Sequence, residues 1–597
     1  GREIDARATA ALDAVDLAHA RHGLEALYED HLIDEPLAGR YRMHDLIRAY
    51  ARTLAGQDDQ DDREAAIDRL LDYYLHVAVA ASRHIERGGE PTVPPPIRPP
   101  AEAPDLCGRQ DALAWLEVER GNLSACFDYA AAHRPDRAVQ IAHAMHPFLR
   151  VAGQWHQALA IHQSALAAAQ LAGDLLGQAS ALHDRGHAQR LIGDYGPAAE
   201  SLTRALALYR EDGDLAGQVA VLTQLGIVQY LTGEITEATA SLAAALALSE
   251  EAGDRLGRAN VLIRLGIVHH LTADYPPAAA ALSEALGLCQ DLDDRPLQAT
   301  AHGNLGRVRY MTGSYPAATA SLMEAQRITH ELGDRPGQAT ASLNLGVVQC
   351  LTGDYPAATA SLTGALAQLR ELGDRYGQAN ALNDLGAVQR LTGKYQAAAA
   401  SSTEALALFR DIGDRYGLAD ALNNLSILQR VTGQYPAATT SLAEALAISR
   451  DIGSRYCQAS ALQNLGAVQR LTDERELAAR SLTEALALFR DIGDRLGQAD
   501  VLNGLGALEL DSGGYPEALA HYQRALDLAR DLGAPLMEGR ALEGIGRCRA
   551  LGADPAGGAA HLRAALAIYQ RLGVPEAGEV RAALRDLERP PEPPAEE

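Results

Sequence analysis

Arg390, Arg430 and Arg470 stand forty residues apart, Arg190 falls in the same register, and Tyr230 and Tyr310 occupy that register elsewhere. Guanidinium groups repeated at a fixed interval can grip carboxylates along an extended partner, so this row points to recognition of an acidic protein or peptide. Signatures of bond-making chemistry do not accompany it. The one lysine, Lys394, is followed by Tyr395, whereas a P-loop needs Ser or Thr after GxxxxGK, so the chain carries no conventional ATPase site of its own. HExxH, GxSxG and EF-hand patterns are absent from the sequence. The 19 histidines are dispersed, and His269-His270 lacks a third ligand at metal-binding spacing. The six cysteines form no CxxC and read as small core residues of a reducing compartment. Neither catalysis nor a metal is expected of this chain.

A periodic scaffold must carry these side chains. From Gly173 to Leu572 the chain divides into consecutive forty-residue blocks with no insertion or deletion, each with an alanine at one place, from Ala205 to Ala565. A period of this size is the mark of a solenoid. Gly373, Gly413 and Gly493 stand where a helix ends in a left-handed residue, and Asp374, Asp414 and Asp494 follow as N-caps, each contributing roughly 0.5–2 kcal/mol. A second turn ends at Gly353, Gly393 or Gly433, and Pro356 and Pro436 open the next helix, where a missing N–H costs nothing. The block from Gly373 is thus predicted as helices over 374–391 and 395–412. Glycine also recurs inside the first helix, from Gly186 to Gly546, with Ser426 the exception, and alanine inside the second, from Ala198 to Ala518. Glycine within a helix costs about 0.5–1 kcal/mol against alanine, so its repetition predicts backbone approach too close for a larger side chain.

The bulk numbers agree with packed helices, since 47% of residues are hydrophobic but only 5% aromatic. A net charge of −25 disfavours nucleic acid and anionic membrane surfaces, neither of which is expected as a partner. The absence of an 18-residue apolar run or signal peptide places the chain in the cytoplasm as an expectation. It starts at Gly1 rather than at a methionine, which suits a segment of a longer protein.

Outside the blocks, residues 1–55 read as a helix pair over 13–37, a turn at 36–39, a strand over 40–43 and a helix from His44 to about Leu54, with Leu46, Ile47, Tyr50 and Ala51 as its apolar stripe. Seven arginines against ten carboxylates there argue against DNA reading. The stretch GRYRMHDLIRAYARTLA, with Met43-His44-Asp45, resembles the winged-helix end of the NB-ARC module in actinobacterial AfsR-type STAND regulators. That resemblance implies that His44 approaches the β-phosphate of ADP held by an upstream nucleotide domain. It also implies ADP or ATP as cofactor, and nucleotide-dependent homo-oligomerisation, of a full-length parent only. The bland alternative is that His44-Asp45 merely opens a helix, where negative charge is favourable. Residues 56–132 read as a helical connector, with an acidic hinge over 57–63, a helix over 64–85, a Pro-rich linker over 91–104 and Trp115 as a core anchor.

The block pattern, Leu-Gly followed by Tyr, Ala and Ala, is similar to the tetratricopeptide repeat, lengthened to forty residues as in kinesin light chains and in AfsR-type and MalT-type regulators. The expected fold is therefore an all-α, right-handed tetratricopeptide superhelical solenoid over 133–589 with a small N-terminal winged helix. A degenerate first unit spans 133–172, with Trp155 in the Tyr195 column. A half-unit over 573–588 caps the array, with Glu579, Arg581, Arg585 and Asp586 outward, and 590–597 form a disordered tail. By the same resemblance, the partner groove is lined by Asn304, Asn344, Asn383, Asn423, Asn424, Asn464 and Asn503 together with Arg190, Arg390, Arg430, Arg470, Tyr230 and Tyr310. The alternative is that these polar rows are solvated or tie neighbouring helices. The functional expectation is a sensor and interaction arm that gates an upstream ATPase. A standalone adaptor, or part of a transcriptional regulator whose DNA-binding domain lies elsewhere, are the other readings.

Overall fold

The computed structural model describes residues 3–85, 100–552 and 554–588, so the proline run over 91–99 and the tail over 590–597 lie outside the described residues. Two compact units emerge, one of Gly1–Gln229 with Ala240–Arg258, the other of Tyr230–Thr239 with Ala259–Glu597.

The first unit opens with β1 (Ile4–Asp5), α1 (Ala6–Asp13), α2 (Leu17–Glu29), β2 (Ile33–Leu37), β3 (Arg40–Met43) and α3 (Asp45–Ala55). The helix pair expected over 13–37 is thereby corrected. The pair lies earlier, because Asp5 caps α1 by accepting from the Ala8 N–H at 2.7 Å and Asp16 caps α2 by accepting from His19 N–H at 2.8 Å. Residues 33–37 instead form an edge strand in a sheet of order β1-β3-β2, antiparallel throughout, with Ile33 opposite Met43. The register breaks between Asp34 and Leu37, where Pro36 cannot donate to a ladder. The stripe on α3 is not buried here, with Leu46 78% and Tyr50 65% exposed.

Next come α4 (Gln60–Ile85) and α5 (Arg109–His133), then the first repeat-like helices α6 (Pro135–Val151), α7 (Trp155–Ala172) and α8 (Leu175–Leu191). Half of the expected acidic hinge is thus absorbed into α4. Trp115 is only half-buried, tilted against Tyr74 at 6.5 Å, and Leu116 beside it takes the core position. A buried network fastens the sheet to the connector. Glu119 of α5 pairs with Arg40 of β3 and accepts from the Tyr74 hydroxyl at 3.3 Å and the Asn122 amide at 2.6 Å.

Through the repeats the punctuation acts as its chemistry requires. Helices Arg375–Leu391 and Tyr395–Ile412 are separated by Gly393 at φ 76°, and Gly413 follows at φ 74°. Asp374, Asp414 and Asp494 each accept from the N–H three residues on, at 2.9–3.1 Å. The glycine column meets a side chain rather than backbone. A Cβ on Gly186, Gly306, Gly346 or Gly466 would lie 2.7 Å from the Cγ of a leucine on the second helix, with the nearest backbone oxygen at 3.2–3.4 Å. Two glutamine rows, not anticipated from the sequence, lace the helices. Gln389, Gln429 and Gln469 accept from Ser401, Ser441 and Ser481 within a block, while Gln378, Gln458 and Gln498 donate to a carbonyl at the end of the preceding helix. The helix Leu215–Thr232 alone among the described residues has the length and hydropathy of a membrane span, but it occupies an ordinary place in the repeat frame and is half buried.

Within the second unit the blocks also meet non-neighbours. The left-handed Gly233, Gly313 and Gly353 face Ile452, Leu532 and Leu572, each the same distance along the chain. Around the middle contact Tyr315, Ala318, Leu322, Val348, Leu532 and Ala534 form one core cluster. Val580 and Leu584 of the last helix, Glu576–Glu588, are buried, whereas Glu579, Arg581, Arg585 and Asp586 face water.

Candidate functional site

Most side chains expected to line a groove sit on the first helices of the second unit, and they divide into spent and unspent groups. Asn304 donates to Thr300 O of its own helix at 2.9 Å. Asn383 donates to Asp420 at 2.8 Å and accepts from Asn424 at 3.1 Å. Asn423 and Asn503 are buried and reach the main-chain carbonyls of Cys457 and Met537 in the next block, at 3.4 and 3.5 Å. Asn383, Asn423 and Asn503 thus tie adjacent blocks, as buried polar groups need a partner, whereas Asn304 bonds only within its own helix. At these positions the bonds are those of the alternative reading, in which the polar row ties neighbouring helices. Asn344 and Asn464 are also buried.

The arginine row behaves differently along its length. Arg190, in the first unit, donates to Gln224 at 3.2 Å, and Arg470 pairs with Asp511 at 2.5 Å. Arg390 and Arg430 are half-buried, and the Nε of each is enclosed without a hydrogen-bond partner. Burial, with Arg540 beside both, pushes the Arg390 guanidinium down to about 10 and lowers that of Arg430. Arg540 itself has Asp500 at 3.3 Å and Glu576 at 3.8 Å. The structure therefore gathers cations from blocks far apart in sequence, which no single column revealed.

Nearer the start of the helix that carries Arg390, the charges reverse. Burial, reinforced by Asp420 and opposed by Arg307, pushes the Asp384 carboxyl up to about 8. Tyr310 neighbours Arg307, Asp384 and Asp420, and burial raises its hydroxyl. Tyr376 and Tyr416 share that neighbourhood through Arg307. Tyr230 is half-exposed. In the first unit His44 is exposed at the N-cap of α3 and its side chain makes no capping bond, while Asp45 in the first turn pairs with Arg48.

The histidines, dispersed in sequence, are partly gathered in space. His143 and His146 on α6, His162 on α7 and Asp184 with His187 on α8 converge in the first unit. Helical spacing puts His143 and His146 on one face of α6, but nothing in the sequence ties them to α7 and α8.

The tetratricopeptide-repeat family profile matches residues 137–211, 218–291, 297–367, 337–411, 417–491 and 457–531, well over half of the chain. Regulatory protein AfsR of Streptomyces griseus is 35% identical over 209 residues, which are 34% of this chain and 21% of that protein. The AfsR of Streptomyces coelicolor is 35% identical over 165 residues, 26% of this chain and 16% of that protein. The matches span about a fifth of these relatives' length. Among solved structures, the chain is similar to the Cut9–Hcn1 hetero-tetramer of the APC/C, with a TM-score of 0.49 and 13% identity, covering 81% of this chain and 97% of the other. It is also similar to BtubC (BKLC) from P. vanneervenii, with a TM-score of 0.28 and 22% identity, covering 40% of this chain and 95% of the other.

Proposed function

The chain belongs to the tetratricopeptide-repeat family, and from that premise we propose that it is the sensor and interaction arm of a STAND-type regulatory ATPase. In this reading a protein or peptide segment with acidic side chains lies against the first helices of the second unit. Its arrival gates an ADP- or ATP-binding domain through the winged helix.

The observation that carries the reading is the pair Arg390 and Arg430, enclosed beside Arg540 with their Nε groups unspent. Mutually repelling guanidiniums, half-buried with their Nε atoms enclosed, are an unfavourable arrangement that further carboxylates would relieve, and charge-assisted pairs are the stronger hydrogen bonds. The gating part is supported by α3. His44 stands exposed at its start, and Leu46, Tyr50 and Leu54 expose an apolar row along it. Such a row suits a surface covered by a nucleotide domain. The Arg40–Glu119 pair would transmit strain from the connector to the strand that leads into His44. A partner that favours one of two arrangements shifts their balance only by its difference in affinity for them. The likeness to AfsR regulators supports a place in a regulatory protein of that kind.

The test is binding of a captured partner, or of acidic peptides from it, to the chain and to the double variant Arg390→Ala, Arg430→Ala. Affinity should fall by about tenfold or more, as expected for two charge-assisted bonds at roughly 1.5–3 kcal/mol each less desolvation. Equal affinity of variant and parent would remove the arginines from the site.

A further inference from the structure

In the first unit, outside the proposed groove, the imidazoles on α6, α7 and α8 form a linear relay that lacks its last link. His187 Nδ1 and His146 Nε2 are 3.1 Å apart, and His146 Nδ1 and His162 Nε2 are 2.9 Å apart. A neutral imidazole has one donor and one acceptor, so a relay in which His187 and His146 each donate onward leaves a proton on His162 Nδ1. That nitrogen faces Asp184 Oδ2 at 3.8 Å, too far for a hydrogen bond, and it has no other partner. His162 is 0% exposed and Asp184 4%. An enclosed polar atom left without a partner is unfavourable and calls for an explanation.

The gap has the dimensions of a metal site. Two zinc–ligand bonds laid end to end span about 4 Å, so 3.8 Å between nitrogen and oxygen accommodates an ion off the direct line. One donor atom each from His146, His162 and Asp184 lie within 4.8 Å of one another, and all three residues are buried. The same Asp184 oxygen is held by His143 Nδ1 at 2.8 Å, which fixes the carboxylate as the partner of a metal ligand does elsewhere. Two imidazoles and a carboxylate, with no thiolate, suit late first-row divalent ions and not magnesium or calcium, which take oxygen donors.

We propose that His146, His162 and Asp184 bind a divalent transition ion, zinc foremost, with water in the fourth position and His143 orienting the carboxylate from outside. The ion fills the gap beside His162 Nδ1, and His146 gives up its hydrogen bond to His162 or to His187 to reach it, so that α6, α7 and α8 are clamped at the start of the repeats. His162 meets the ion as a neutral imidazole whose proton stands on Nε2, so the change on binding is one of tautomer and no imidazole proton is lost.

Calorimetric titration of the whole chain with zinc, after dialysis against a chelator, tests this, with cobalt(II) as the spectroscopic probe. One ion per chain is expected, with a raised Tm and the intense visible band of four- or five-coordinate cobalt. His162→Ala should weaken binding by about tenfold or more, and His143→Gln should weaken it less while keeping the band. Because His162→Ala could loosen α7, Asp184→Asn serves as the second variant. It preserves volume and removes the anionic ligand, and it should also lose the site with helicity intact by circular dichroism. The proposal is overturned if the parent chain binds no zinc at one equivalent. It is equally overturned by the weak band of six-coordinate cobalt, or by binding that survives both His162→Ala and Asp184→Asn.

Discussion

Asp384 occupies the Asn344 and Asn424 column of the repeats, yet its surroundings oppose its charge. Burial is the main cause, the nearby Asp420 adds to it, and Arg307 only partly offsets both, so the carboxyl titrates at about 8 instead of 3.8. The sign of the stability effect follows from proton binding. Between about 4 and about 8 the folded chain holds a proton that the unfolded chain has lost, so stability falls as pH rises through that window. Below it both states are protonated and the penalty is absent; above it the penalty is complete. Asp384→Asn keeps the shape and removes the ionisation. The variant should therefore match the parent's Tm near pH 4, exceed it progressively towards pH 8, and hold that lead at pH 9. A lead independent of pH would mean that Asp384 is already solvated as an ordinary carboxylate.

At the scale of one helix pair, the glycine column makes a sharper prediction because the block from Gly373 has no leucine over its glycine. Gly466 lies under Leu482, whose Cγ would be 2.7 Å from an added Cβ. Gly386 instead lies under Ser402, whose hydroxyl would be 3.0 Å away and can rotate. Gly466→Ala should lower stability by about 1–3 kcal/mol through overpacking, whereas Gly386→Ala should be neutral or stabilising by up to about 1 kcal/mol. Thermal melts and local hydrogen exchange of the two variants compare the sites directly, and equal losses would show that backbone approach, not the leucine, sets the column. This is also where the limits of the sequence become physical. The caps, the turns and both helix bounds of the block from Gly373 were legible because they depend on residues three or four apart. The helix pair over 13–37 is placed too late because Asp5 already caps a helix before it, and in 33–37 only Ile33 is buried, too little to tell an edge strand from a helix turn. The asparagines gave their column but not their bonds, since whether Asn423 faces a ligand or the Cys457 carbonyl depends on how closely the next block approaches. The histidine cluster could not be seen at all, because its members come from three helices.

The second unit as a body adds something that a chain of nearest neighbours lacks. Repeat arrays are commonly held by contacts between adjacent units only, but here Gly233, Gly313 and Gly353 meet Ile452, Leu532 and Leu572 at one constant offset. The tyrosine column records the same event. Tyr275, Tyr315 and Tyr355 are 1–2% exposed, whereas Tyr395 and Tyr435 in the same column remain half-exposed. Each covered tyrosine carries a later block on top of it, and the hydroxyl of Tyr315 has no partner there. Leu532 is the central knob, 5% exposed and packed with Tyr315, Leu322 and Val348. Leu532→Ala should cost about 2–5 kcal/mol if the site cannot collapse, and the form of that loss separates two kinds of stability. If the distant contact is part of the folded unit, amide exchange will accelerate around Tyr315 and Val348 as well as around Leu532, although they lie far apart in sequence. Acceleration confined to the block of Leu532 would mean that the blocks fold as independent neighbours and that the distant contact contributes nothing. The first outcome would also make the arginine cluster sensitive to Leu532, because Arg390 and Arg540 are brought together by the same return of later blocks onto earlier ones.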